Sequence, residues 1–445
     1  MVSRSDAQHL LRRTGLTLPA AQITPLLTLT RSQLVDWVFD FNQNGAVTFS
    51  PPGEDWSAMQ ETRVWWVNRM VTAPRPLHER ITLFWHNHFA TAHRKVGDAG
   101  LMWDQNQIFR NQGLGDFNTL VKNVSVDPAM LIWLDGEYST KWGPNENFSR
   151  ELLELFMLGV NNGYGESDVR ELARAWTGHT LDRDANYNVL GHIFNSSTHD
   201  GTAKTIFGST ANWEGTAVLD AMIVNGGSLG HMRPLVARHI ARKLWTWFAG
   251  PNIGAAVLDS LATLLASTPN MNIGAFLRAM FNMDEFYDAD VKAGLMRDPL
   301  LWIASMLQAA GLTFEQANIE WYLGQLSMIP FEPPNVSGWR FNVSWMSVTA
   351  FWKRAEVAYS VFSTAQQTVA DGGSFFLGGT ETLPAAQVVQ IAIDKFGDDR
   401  IVPGSATWNA LVGLVELDRS NGDSSWAQRA NLGRTVAISP EYSLA

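Results

Sequence analysis

Residues 145–159 constrain the fold more tightly than any other part of the chain. At about 100° per residue, Glu146, Asn147, Arg150, Glu151 and Glu154 fall on one continuous arc of a helical wheel. The opposite side is apolar, and Met157 and Leu158 close the polar arc one turn later. A surface helix leaves its polar stripe open along its length. Here the stripe reads as a patch walled in by hydrophobes. The pattern predicts a helix inside a helical body, with carboxylates that need a charged, hydrogen-bonded or metal partner. A site with this helix in its wall is the expectation.

Helical periodicity dominates the rest. It predicts helices over residues 6–14, 31–41, 56–71, 77–89, 144–160, 166–177, 234–249, 255–266, 298–310 and 348–369. Pro144 stands in the first turn of the central one, and Ser167-Asp168 is placed to cap the next. Past His179 the pattern changes: Gly, Asn, Asp and Thr become frequent. Alternating runs at 187–190, 192–195 and 204–207 read as β-hairpins. The fold class is therefore mainly α. One large helical domain spans residues 1–445, with a small β-hairpin insertion around 185–208 (180–210 at its widest). A less regular C-terminal segment, 372–445, opens on a surface loop at 372–381 and regains helical character beyond it.

Composition excludes several function classes. A net charge of −10 with no Lys/Arg run argues against a nucleic-acid partner. Cysteine is absent, which removes disulfides, thiolate metal sites and cysteine nucleophiles. No apolar run approaches a membrane span, and the N-terminus lacks the apolar core of a signal peptide, so the expectation is a cytoplasmic chain unless a signal-bearing partner exports it. Nineteen tryptophans either fill the core or form platforms for a flat or sugar-like ligand.

Seven of the ten histidines lie between His78 and His199, the third of the chain that also holds the carboxylate helix. Glu79 and His86 share a helix face. His88 points away from them unless the helix ends by Trp85, in which case His86 and His88 can chelate together. Glu151 and Glu154 stand at i and i+3, and Glu146 and Arg150 at i and i+4. The bland reading is intrahelical ion pairing through Arg150. The next helix adds Asp168, Glu171 and Arg174, and the two together offer the ingredients of a carboxylate–histidine metal site, although the Glu-x-x-His spacing of di-iron bundles is missing. His199-Asp200 is either a polar turn or an acid/base pair with Lys204 nearby. The basic turn 238–245 reads as surface or as neutralising charge. Residues 331–339 read as a rigid loop that sets Trp339 over a pocket as a lid or over the core as a plug. No phosphate-binding glycine loop or dinucleotide fingerprint indicates kinase or nicotinamide chemistry.

The same residues carry a resemblance. The stretch 9–15 around Arg12 and Arg13, 84–89 around His86-Asn87-His88, the 145–156 helix, and 173–178 ending in Trp176-Thr177-Gly178 resemble the bacterial family of unknown function DUF1800. So do His199-Asp200-Gly201 with Lys204-Thr205, Arg242-Lys243-Leu244, 333–339 and 439–442, so that the likeness covers nearly the whole chain in order. The resemblance implies one largely helical domain with a shared site. Many members look exported and are encoded beside a second family with a twin-arginine signal, so a partner protein from a neighbouring gene is an expectation. No reaction comes with the resemblance.

Two functional expectations follow. The first is a metal-assisted enzyme acting on a small molecule or a saccharide, an oxidoreductase or a hydrolase, with oxidative chemistry on an organic substrate favoured over hydrolysis. Its candidate ligands are His86, His88, Glu151, Glu154 and His199, holding Fe, Mn, Cu or Zn. Glu151, Glu154, His199, Asp200, Arg150 and Asn147 are the candidate catalytic and positioning groups. The second is a non-catalytic binding or assembly protein for a polysaccharide or a partner protein, in which the polar cluster is a structural ion-pair network.

Overall fold

In a computed structural model of the chain, residues 1–224, 226–366 and 376–445 are described. Local capping explains where many helices start. Ser3, Asp55, Asp98, Asp127 and Asp298 each accept a backbone N–H from the first turn of the helix they precede. Thr30 and Thr313 form capping boxes with Gln33 and Gln316. The predicted helices appear at Arg4–Thr14, Arg31–Val38, Trp56–Thr72, Leu77–His88, Glu166–Ala175, Arg233–Phe248, Ala255–Ser267, Pro299–Ala310 and Val348–Thr364. Residues 367–369, at the end of the last predicted helix, lie outside the described residues, as do 372–375 of the predicted loop.

Ala99–Gln112, Phe117–Ser125, Gly215–Ile223 and Ile273–Met280 are further helices that no expectation named. The first of these is hard to read because it buries Gln105, Asn106 and Arg110 beside apolar groups. The C-terminal segment is more regular than expected. Ala385–Phe396, Ala406–Ser420 and Ser425–Ala437 are full helices, and the first and last bury apolar faces rich in Val, Ala, Ile and Leu.

One contiguous hydrophobic core runs from Leu10 through Trp85 and Trp302 to Tyr442, so the protein is a mainly α single domain. Most tryptophans fill this core, whereas Trp56, Trp142, Trp321 and Trp352 are exposed. The only strands among the described residues form two antiparallel hairpins. In the first, β1 (His179–Arg183) pairs with β2 (Val189–Phe194), setting His179 opposite Phe194 and Leu181 opposite His192. In the second, β3 (Lys204–Ile206) pairs with β4 (Ser209–Ala211). Phe207 and Gly208 between them both have positive φ, as a two-residue type I′ turn requires. Among the described residues, no helix is long and apolar enough to cross a membrane.

Candidate functional site

The central helix does not keep a single period. Asn145 caps it by accepting the Asn147 N–H at 2.8 Å, and α-helical bonding covers only Glu146–Glu151. Leu152–Met157 is a π-helical turn, a form that recurs at functional sites. The change of period breaks the wheel drawn at a constant angle. Met157 and Leu158 pack into the core instead of closing the polar arc, and the arc is open to water.

Two histidines from other helices cap the end of the π-turn. His88 Nε2 donates to the Phe156 carbonyl at 3.1 Å and His239 Nε2 to the Leu155 carbonyl at 3.0 Å. Gly159, at φ +94°, makes room for the second ring, because a Cβ there would lie 3.1 Å from His239 Nδ1. Burial holds the His88 pKa well below the ordinary value, with Lys243 and His239 adding repulsion; burial also takes His239 to about 4. Both caps are therefore neutral. The basic turn around His239 is thus a brace for this helix.

Arg150 ties the exposed arc together. It grips Glu166 at 2.7 and 2.8 Å, reaches Glu146 at 3.3 Å and lies 3.7 Å from Glu154. The Arg150 side chain is 33% exposed, so these are surface pairs of modest worth. Glu151 is half-buried; burial and the Glu154 charge raise its pKa. Asn147 donates to the Leu134 carbonyl at 3.3 Å. The next helix starts at Gly165 rather than at Ser167-Asp168, because Asp168 reaches back to the Gly165 N–H at 2.9 Å. Asp168 also accepts from Phe207 N, and Glu171 from Thr205 N, so both carboxylates brace the second hairpin. They line an open cleft of about 760 Å³ with Ser167 and His231.

The helix carrying His86 continues to His88, so the two rings diverge and do not chelate together. His86 Nε2 accepts the Phe331 N–H at 3.0 Å, and burial alone takes its pKa to about 3. Trp339 lies edge-on to His86 at 5.3 Å and is buried. The 331–339 loop is a plug over the core.

The β insertion brings titratable groups into line. Glu214 Oε1 lies 2.8 Å from His179 Nε2, and His179 Nδ1 lies 2.9 Å from His192 Nε2. Burial works to raise the Glu214 pKa, but the bonds from His179 and Thr216 hold it at about 2. The carboxylate is ionised and must accept from His179 Nε2–H. In neutral rings, His179 Nδ1 then accepts from His192 Nε2–H, which leaves the His192 Nδ1 lone pair open. Phe194 packs 5.1 Å from the His179 ring and 5.2 Å from that of His199. His199 is half-buried, and its Nδ1 donates to the Thr177 carbonyl at 2.8 Å. Asp200 meets Arg174 at 2.7 Å; burial pushes its pKa up, but the bonds from Arg174 and Thr202 outweigh that and lower it. Lys204 is buried among the carbonyls of Asp200 and Thr202.

The model of the family described as protein of unknown function (DUF1800) matches residues 9–444. The chain belongs to the DUF1800 family. No curated protein and no solved structure matches it.

In this DUF1800 chain the candidate ligands are spread over three environments. His86 and His88 hold backbone groups in the core, Glu151 and Glu154 stand by Arg150, and His199 lies beside the first hairpin. Among the described residues no three His, Asp or Glu side chains come together as a cation-holding group. The proposed ligand set does not fit one metal.

His179, His192 and Glu214 were not among the candidates. Their signal was available: an alternating run with histidines at 179 and 192 puts them on diagonal positions of one hairpin face. Gly226-Gly227-Ser228-Leu229-Gly230 has the spacing of a nucleophile elbow, but it follows the helix Gly215–Ile223 and not a strand, which denies it that geometry.

The buried neutral histidines also set a pH dependence. The unfolded chain takes up protons as pH falls through 6.5, while His86 and His239 stay neutral in the folded state until about 3 and about 4. Folded stability therefore falls as pH drops from 6.5 towards 4. Urea unfolding at a series of pH values should show that slope, and His86→Met should make it shallower. A slope unchanged by His86→Met would contradict the burial of a neutral ring.

Proposed function

We propose that the β insertion carries an acid–base site of an enzyme acting on a small polar organic substrate or a saccharide. The observation that carries this reading is the Glu214–His179–His192 chain, with contacts of 2.8 and 2.9 Å. The ionised carboxylate orients His179 and stabilises positive charge on the imidazole pair. Burial and the neighbouring His179 lower the His192 pKa, and Glu214 works against them, so His192 is a neutral ring whose Nδ1 lone pair is free to accept a proton. His192 is half-buried beside exposed apolar groups of the same hairpin, Tyr187, Leu190 and Phe194, which form the rim on which a substrate rests. His199 supplies a second imidazole, fixed by Thr177 and in contact with Phe194. Redox-metal chemistry through His86, His88, Glu151, Glu154 and His199 lacks comparable support, since those side chains serve different partners.

The test is a turnover screen over esters, glycosides and hydroxy- or keto-compounds, followed by variants. His192→Ala should lower kcat/KM by roughly 10²–10⁴-fold. Glu214→Gln should lower it less and move the acidic limb of the pH profile to lower pH, because His192 accepts a proton only while neutral. Equal turnover in His192→Ala and the parent chain would defeat the reading.

A second reading, an assembly protein, draws on the exposed apolar edge of this hairpin, where Leu190 is 65% and Tyr187 80% exposed. Together with the satisfied Arg150 network, it describes a surface for a partner protein. In that case Leu190→Lys abolishes partner binding, and no substrate in the screen is turned over.

A further inference from the structure

Arg12 and Arg13, from the first helix, meet Asp398, Asp399 and Arg400 and the segment at Arg297 in the interior. Arg13 and Arg297 have side chains only 1% exposed, and Arg12 3%. The acceptors are soon used up. Arg400 takes Asp398 in a two-pronged pair at 2.8 and 2.6 Å, and Arg12 reaches Asp399 at 3.4 Å. Gln8 is also turned towards Asp399. Arg297 stands 3.8 Å from Asp398, beyond hydrogen-bond reach, and lies over the Tyr442 ring. Arg13 has one backbone partner, the Val291 carbonyl.

Four guanidinium groups thus share two carboxylates. Arg13 Nε and Nη1, Arg297 Nη1 and Nη2, Arg12 Nε and Arg400 Nη1 are buried without an acceptor. Guanidinium does not release its proton inside a protein, and a buried unpaired charge is strongly unfavourable. Nor do nearby carboxylates restore the balance. Asp298 is engaged by Arg80 and Asp6 by Lys292, while Arg354, which donates to the Arg297 carbonyl at 2.8 Å, adds a further buried cation with an unpaired Nη1.

We infer that the arginine knot holds a buried inorganic dianion of the phosphate or sulfate class, enclosed as the N-terminal helix packs on the C-terminal segment. The surplus of buried positive charge calls for an anion of more than one charge. A tetrahedral oxyanion also presents enough lone pairs for the orphaned N–H groups, which forked guanidinium donors suit. The ion would serve as a structural ligand that joins the two ends of the chain.

The test uses the full chain, desalted exhaustively into buffer free of phosphate and sulfate, then denatured and assayed by ion chromatography. About one equivalent of phosphate or sulfate should be released, and the chromatogram identifies which. The urea midpoint of the desalted, refolded chain should rise and saturate with that anion, as linkage requires, relative to chloride at equal ionic strength. Arg13→Met and Arg297→Met should lose both the released ion and the saturating rise. If the variants fail to fold, the parent chain decides. No released ion together with a midpoint that does not saturate overturns the inference. So does a rise that persists in Arg13→Met, which marks a general salt effect.

Discussion

Glu79→Leu is expected to destabilise the fold by about 3–5 kcal/mol, the range for breaking a buried charged pair by removing one partner. Glu79 and Arg110 are each 1% exposed and meet at 2.6 Å. Glu79 also accepts from Trp66 Nε1 at 3.0 Å and from Arg69 Nε at 2.9 Å. Burial works to raise the Glu79 pKa, but Arg110 and its neighbours outweigh that and lower it, so the carboxylate is charged. Leucine fills the volume but leaves the Arg110 charge in the core with only Asn106 as a side-chain hydrogen-bond partner, at 3.3 Å. Adding Arg110→Met removes the stranded charge, and the double variant should recover most of the loss. Urea unfolding of the parent, both single variants and the double variant closes the cycle. A loss below about 1 kcal/mol for Glu79→Leu would mean the site is wet.

The second large effect is at Gly338, whose φ is +81°. A Cβ there would lie 2.5 Å from the Asn87 backbone oxygen and 2.9 Å from Asn87 Cγ. The close approach exists because Asn87 Oδ1 accepts the next N–H, that of Trp339, at 2.7 Å. Gly338→Ala combines a backbone conformation unfavourable to a side chain with a clash against main chain, and should cost about 2–4 kcal/mol. It should also withdraw Trp339 from His86, visible as a shift in tryptophan fluorescence. Asn87→Ala should not rescue it, since the backbone oxygen stays in place. Rescue by Asn87→Ala would show that the side chain alone sets the spacing.

Much of the helical framework was legible because it rests on local physics. The helices over Trp56–Thr72, Leu77–His88 and Arg233–Phe248 follow apolar periodicity, and they begin and end within about two residues of where it places them. The hairpin region announced itself through alternation and turn residues. The π-turn at Leu152–Met157 did not. It is held by His88 and His239, seated on helices far away in sequence, and nothing in the local run records them. The same blindness affected the site. The histidines at 86 and 88 are informative as a motif, yet their chemistry is spent on the backbone groups of Phe331 and Phe156.

By itself the sequence determined the helical class, the place of the β insertion and the polar residues of Glu146–Glu151, because spacing along a helix or strand is a short-range property. Membership of DUF1800 was legible for the same reason, being carried by ordered motifs along the chain. Tertiary structure decided which polar groups meet. It set Glu214 beside His179 across 35 residues, and Arg12 beside Asp399 across 387. Partnership among buried charges depends on distances through space, and a chain's own order does not contain them until it has folded.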